Sequence, residues 1–152
     1  MLNLNISVSE TLKQIYASSA LHCYVNANKA VKPAMLTPDR KAALHLLVRD
    51  AFSFVIVDML PCVSSTSTSI DDKDEILSVN LDLKIQKGEG LLVAKLVESA
   101  IAFYTLHLVY VGEDNSLSGE YEKRAEDCMR KLLEYTRNSK LDNISNVTPY
   151  YL

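Results

Sequence analysis

The chain has 152 residues, which suits one domain with a single hydrophobic core. Its apolar fraction of 48% and charged fraction of 23% are ordinary for a globular protein, and the formal net charge of -3 argues against a protein that coats nucleic acid. Three widely spaced cysteines, Cys23, Cys62 and Cys128, indicate reduced thiols in a cytosolic protein rather than a disulfide framework.

The first predicted helix begins at Ser7. Ser7 and Glu10 have the spacing of a capping box, in which the serine caps the helix and the glutamate reaches back to the amide of the cap. Apolar and small residues then recur at helical spacing until the pattern fades at Asn26–Asn28. We therefore expect an amphipathic helix over this stretch.

The start of the second predicted helix is indicated by Thr37, Pro38 and Asp39, which provide an N-cap, a proline at the first helical position and an acid in the first turn. It runs to about Leu60, because Pro61 cannot continue it. Phe54 and Val57 widen its apolar arc beyond what one partner helix would cover. Either a third helix or a neighbouring subunit is expected to cover this surplus.

A polar segment follows, Cys62–Asp74, which is rich in Ser and Thr and then acidic, with no periodicity. We interpret it as an exposed loop. Its acidic end lacks the glycine and the ligand spacing of an EF-hand, so a solvated acidic run is preferred to a calcium site.

The clearest strand pattern of the chain spans Leu77–Ile85, where five apolar residues alternate with polar ones. A single strand cannot satisfy its own backbone hydrogen bonds. Candidate partners are Leu2–Ile6, the segment Ile144–Leu152 and a strand of another chain. We interpret the strand as exposed and as the means of assembly by strand addition.

A third helix is predicted over Leu91–Val111, which is apolar on nearly every face. Its length also suits a membrane span. Because Lys95, Glu98 and His107 lie inside this run, we expect a buried central helix, and a small membrane-associated protein is the alternative.

A fourth helix is predicted after the turn at Gly112–Leu117, with Ser118 as its cap and Tyr121 on its buried stripe. Beyond Asn138 the helical period is lost. The segment Leu141–Leu152 is interpreted as an extended tail whose aromatic residues dock on another surface.

Candidate catalytic residues are few. Arg40 and His45 have the Arg-x4-His spacing of HEPN-type ribonucleases, and that resemblance covers two residues alone. A phosphate-binding glycine loop and a zinc ligand spacing are both missing from the sequence. We therefore predict a protein that is not an enzyme, with no catalytic, cofactor or metal site.

The order of the predicted elements resembles that of the head-to-tail connector proteins of tailed bacteriophages. In both, two helices are followed by a long loop with extended structure, a hydrophobic helix, a short turn and an amphipathic helix with a tyrosine near its start. The resemblance rests mainly on Leu96–Leu133. It implies a ring of subunits beneath the portal, in which Ser64–Ile85 contacts neighbouring proteins and Leu141–Leu152 docks on them.

The predicted fold is thus mainly α, a four-helix bundle-like domain over residues 1–140 whose loop, about 62–88, carries one exposed β-strand or hairpin, followed by a tail at 141–152. The predicted function is a structural subunit of a homo-oligomeric ring, a head-to-tail connector in the neck of a virion assembled in the bacterial cytoplasm. Its expected partners are portal and tail proteins, with no sequence-specific nucleic acid. The predicted inter-subunit contacts are Leu77, Val79, Leu81, Leu83, Ile85, Tyr150, Tyr151 and Leu152.

Overall fold

The structure is a computed structural model that describes residues 1–27, 35–71, 73–83 and 88–141, with side chains up to residue 137. Its elements in chain order are β1 (Leu2–Ser7), α1 (Val8–Val25), α2 (Lys41–Met59), β2 (Val63–Asp71), β3 (Asp74–Leu81), α3 (Glu89–Tyr110) and α4 (Asn115–Leu141). Short 3-10 turns, Pro38–Arg40 and Leu60–Cys62, precede and follow α2.

The three strands form one antiparallel sheet in the order β1-β3-β2. β3 is the central strand, because β1 pairs with it on one side from Leu2 opposite Leu81 to Ser7 opposite Ile76. On its other side β2 pairs with β3, with a β-bulge between Val63 and Ser65. The sheet therefore joins the start of the chain to a hairpin that lies in the middle of the sequence.

The expectation of one exposed strand is wrong, although the mainly helical class fits. Leu77, Val79, Leu81 and Leu83 face the core of their own chain, each no more than 3% exposed. The alternation in this stretch was read correctly as a strand, but its apolar face packs on the helices and both of its edges are paired within the chain. Ser/Thr-rich β2, which was predicted to be a loop, is one of the two pairing strands.

The helices gather around α3, which packs against α1, α2, α4 and β1. This surrounds a helix that is apolar on most faces, and residues such as Val97, Ile101 and Leu106 are fully buried. α4 lies beside α3 as the second half of a helical hairpin. The expected burial of this helix inside the fold is thus observed.

The junction of β1 and α1 depends on Ser7, which is both the last residue of the strand and the N-cap of the helix. Its hydroxyl accepts a hydrogen bond from the Glu10 amide at 3.1 Å, as the predicted cap requires. The Glu10 carboxylate, by contrast, accepts from Lys13 one turn further on. The serine half of the capping box is therefore confirmed, while the glutamate half is replaced by an exposed ion pair.

The burial of β3 generates a stability prediction. Replacing Leu77 with Ala should lower the free energy of unfolding by about 2–5 kcal/mol, because it opens a cavity in a packed core. The matched control is Leu91→Ala, the same chemical change at a position that is 71% exposed, which should change stability by less than about 0.5 kcal/mol. Urea denaturation followed by circular dichroism measures both, and equal losses would contradict the assigned burial of the strand.

Candidate functional site

The residues predicted to make inter-subunit contacts divide into two groups. Leu77, Val79, Leu81 and Leu83 lie in the core and do not form a surface. Ile85 and the segment 150–152 lie outside the described residues. The reason for assigning Leu77–Ile85 to an interface was a strand without an internal partner, and the observed sheet removes that reason.

The outer strands of the sheet are β1 and β2, and β2 is the more exposed of the two. This strand hydrogen-bonds β3 on one side, and among the described residues no strand pairs with its other side. All of its nine residues except the first, Val63, are exposed. A row of backbone amides and carbonyls is therefore available for pairing with an additional strand.

One face of β2 is also uncovered by the helices. Thr66, Thr68 and Ile70 stand opposite Val79, Leu77 and Glu75, so they project from the sheet on the side where the helices lie. The β3 residues in these pairs are buried, whereas the three β2 residues are exposed, Ile70 by 82%. The helical layer thus ends beneath β3 and leaves β2 extending beyond it.

The opposite face of the sheet carries a polar ladder across all three strands. Asn3 Nδ2 donates to Asn80 Oδ1 at 2.8 Å, and Asn80 Nδ2 donates to Ser65 Oγ at 2.8 Å. Ser78 Oγ donates to Asn5 Oδ1 at 2.8 Å. These bonds connect the three strands on the face turned away from the core and favour the observed register.

The hairpin of β2 and β3 is fixed to the start of α1 through Asp74. The Asp74 carboxylate accepts from the Ser7 hydroxyl and, at 3.0 Å, from the Ser9 amide in the first turn of the helix. Partial burial acts to raise the pKa of Asp74, but the hydrogen bonds from Ser7 and Ser9 outweigh it and hold the pKa below 3.8. The charged form is therefore the one that the folded state favours.

Asp74 should consequently make stability depend on acid pH. Because its folded pKa is lowered, its contribution is complete above about pH 3.8 and is lost as the pH falls through the lower folded value. We expect Asp74→Asn to destabilise the protein at pH 7 and to have a smaller effect below pH 3.8. Urea denaturation at pH 7, 5 and 3 measures this, with Asp82→Asn as control, and a loss independent of pH would contradict it.

A second charged contact joins the hairpin to α2. Glu75 lies on the core side of β3, and its side chain is 6% exposed. Its carboxylate accepts from Arg49 Nε at 2.7 Å, and His45 Nδ1 lies 3.4 Å from its other oxygen. Arg40 and His45 are the two residues with the HEPN-type spacing. His45 lies against the Glu75 carboxylate, and Arg40 is the last residue of the 3-10 turn before α2. The contact holds α2 on the hairpin.

Removal of one partner from this contact should cost more than removal of both. Arg49→Leu leaves a buried carboxylate without its main donor, and we expect a loss of about 1.5–3 kcal/mol, toward the lower end because Arg49 is 54% exposed. The double variant Arg49→Leu with Glu75→Leu should recover part of this loss, since no buried charge remains. A double-mutant cycle in urea tests the prediction, and additive losses would contradict it.

An open apolar groove lies between the end of α2 and the second half of α4. It has a volume of about 760 Å³, and its lining includes Asp58, Tyr104, Glu126, Met129, Leu133 and Arg137. Phe54 of α2 stacks on Tyr104 of α3 with ring centroids 6.3 Å apart. Phe54 and Val57 nevertheless stay 55% and 60% exposed, so the described helices leave the surplus apolar arc of α2 largely uncovered.

α3 is also long and apolar enough to cross a membrane, by length and composition alone. In the fold it is the central helix, and Lys95 Nζ pairs with Glu98 Oε2 at 2.7 Å on its exposed side. A core helix enclosed by other helices has the same composition as a membrane span. Contacts within the chain bury eight of the 22 residues of α3, from Val93 to Tyr110, whereas Leu91 and Leu92 at its start are 71% and 52% exposed.

The two acidic side chains at the start of β3 point in different directions and accept hydrogen bonds from different donors. Asp74 binds the start of α1 and Glu75 binds α2. Among the described residues, no group of three or more His, Cys, Asp or Glu side chains is placed to hold a metal ion.

Comparison of the chain with protein-family models, with curated proteins and with solved structures gave no match.

Sequence reasoning missed β2 as the exposed edge of the sheet. The signal that could have found it was the alternation of Ser and Thr over residues 65–69, because Thr is favoured in strands. The apolar alternation that marks a half-buried strand is missing there, since neither face of β2 is buried. Phe54 and Val57, which lie outside the apolar stripe of α2, predicted an apolar surface on this helix beyond its main contact.

Proposed function

We propose that the protein is a structural subunit of a homo-oligomeric ring, and that this ring is a head-to-tail connector of a tailed bacteriophage. The observation that carries the proposal is the nine-residue edge strand β2, which is exposed on both faces. Such an edge is a template for the addition of a strand from another molecule. The role is one of assembly, and no chemical reaction is assigned to it.

The composition of β2 supports this use of its edge. Folded proteins usually protect an exposed edge with lysine, proline, an inward-pointing charge or a very short strand. From Val63 to Ile70 β2 contains no charged residue and no proline, and its single bulge lies at its start. A long, unprotected edge exposes a monomer to aggregation, whereas a subunit of an assembly can use it to pair with its neighbour.

The surface between α2 and α4 supports a ring in particular. A concave groove is not complementary to a copy of itself, and we propose that a different surface of a neighbouring subunit fills it. If that surface lies on the opposite side of the subunit, the contact is head-to-tail, and such contacts close into rings when the rotation between subunits permits. The exposed ring of Phe54, which stacks on Tyr104 in the lining of the groove, adds to this apolar surface.

The connector form of the ring follows from the resemblance. Two helices, an extended hairpin, a hydrophobic helix and a long amphipathic helix occur in the order that the resemblance implies. The partners in this form would be portal and tail proteins in the neck of the virion. The three-stranded sheet, which includes the beginning of the chain, is a departure from the predicted single strand.

Charge on the edge strand should prevent assembly. Thr66→Lys with Thr68→Lys places two charges on the uncovered face of β2, where the isolated chain leaves them in solvent but an added strand and its helices would bury them. We expect an oligomeric wild type and a folded variant with the mass of one chain. Size-exclusion chromatography with light scattering measures both.

The control is Glu113→Lys, which also raises the net charge by two but lies at an exposed position in the turn between α3 and α4. This variant should assemble like the wild type. A wild-type chain that is monomeric at every concentration would sink the proposal. Negative-stain electron microscopy checks the form of the assembly, because a closed ring with a central opening supports a connector, whereas two-fold dimers count against a ring.

A further inference from the structure

We propose that β2 of one subunit pairs with β1 of the next, so that the sheets of successive subunits join into one continuous sheet around the ring. The inference rests on the proposed function and names the partner of the β2 edge, a second copy of this chain. It also assigns a role to β1, which is the other outer strand in the order β1-β3-β2.

The directions of the strands permit this contact. β1 and β2 are both antiparallel to β3, so they run parallel to each other within one chain. Subunits related by a rotation that carries β2 of one toward β1 of the next give the order β1-β3-β2-β1-β3-β2, with a parallel pair at each junction. The contact is head-to-tail, as a ring requires.

The charges and polar faces of the two strands also match. β1 is uncharged from Leu2 to Ser7, as β2 is from Val63 to Ile70, so the junction buries no charge. On the face turned away from the helices, β1 presents Asn3 and Asn5 while β2 presents serines. The Asn and Ser hydrogen bonds that already cross each sheet would continue across the junction.

The contact would also cover the exposed face of β2. Leu4 and Ile6 of β1 rest on the helical layer, in which α1 and α3 contact this strand. When β2 lies beside a neighbour's β1, Thr66, Thr68 and Ile70 come to the edge of that neighbour's helical layer. One contact would thus pair the free edge of β2 and cover its exposed face.

A two-fold contact between two β2 strands is less consistent with these observations. Antiparallel pairing about Ser67 would satisfy the edge hydrogen bonds and keep the two Asp71 residues far apart. It would leave the helix-side face of both β2 strands uncovered, because neither subunit has helices beneath its own β2. Such a contact is also closed after two subunits and does not build a ring.

Cysteine pairs test the contact without knowledge of its register. Asn5→Cys is combined in one chain with Ser65→Cys, Ser67→Cys or Ser69→Cys, which lie on the same face of the sheet. Within a chain β3 separates the two cysteines by two strand spacings, about 9.6 Å, which exceeds the reach of a disulfide of about 7 Å between Cα atoms. A disulfide between them must therefore join two chains.

After mild oxidation, we expect one of the three double variants to give a ladder of covalent oligomers on a non-reducing gel, which a reductant collapses to one band. The wild type, treated alike, controls for Cys23, Cys62 and Cys128, and the single variants should give no ladder. Circular dichroism confirms that each variant is folded. A ladder supports the parallel junction.

A covalent dimer from Ser67→Cys alone, with no ladder from any pair, would overturn the inference in favour of the two-fold contact. An oligomeric wild type whose three double variants all fail to form a ladder would also overturn it, while leaving the proposed function in place. A wild type that stays monomeric overturns the proposed function itself. The two failures are therefore distinguishable.

Discussion

The structure depends on the double pairing of β3. This strand hydrogen-bonds β1 on one edge and β2 on the other, and its apolar face forms part of the core. Loss of either neighbour would leave a long row of backbone groups without partners beside buried leucine and valine side chains. The start of the chain is thereby tied to residues more than seventy positions later. The helices pack against the sheet that closes this long loop.

Two side-chain contacts fix α1 and α2 in position relative to β3. At its first residue Asp74 binds the N-terminal turn of α1, and at the next Glu75 binds Arg49 of α2. Because successive residues of a strand point to opposite faces, these two acids reach different elements from almost the same point. Asp74, at the end of the run that the sequence suggests is solvated, and the following Glu75 in this way join the hairpin to two helices.

Much of the local structure could be predicted from the sequence, because its signals are local. The Ser7 cap lies where it is predicted. Near Pro38 the prediction is only approximate, because Thr37 makes no side-chain cap and α2 begins at Lys41 after a 3-10 turn. The alternation after Leu77 marks a true strand, but β3 begins at Asp74 and ends at Leu81. The choice of strand partner could not be made in this way, since it depends on residues distant in sequence. Leu2–Ile6 was one of three open candidates, and no pattern within it distinguishes pairing inside the chain from pairing outside it.

β2 shows a different limit of sequence reasoning. Hydrophobic alternation reports which face of a strand is buried, and β2 in the isolated chain buries neither. A strand held by one neighbour and by hydroxyl and amide hydrogen bonds therefore looks like a loop. The exposed apolar surface of α2 was predictable in part, because Phe54 and Val57 lie outside its stripe and are exposed. The exposed edge strand was not predicted, because its side chains are almost all polar.

The contrast between the two outer strands explains how one sheet can be both stable and open to assembly. β1 lies over the helices, and burial of Leu4 and Ile6 holds it in place. β2 lacks that burial, so its place in the sheet depends on backbone pairing and on the ladder through Asn80. A strand attached to the fold in this way has its remaining edge and face exposed. In the proposed assembly, an added strand with helices beneath it would stabilise β2 by pairing its edge and by covering its exposed face.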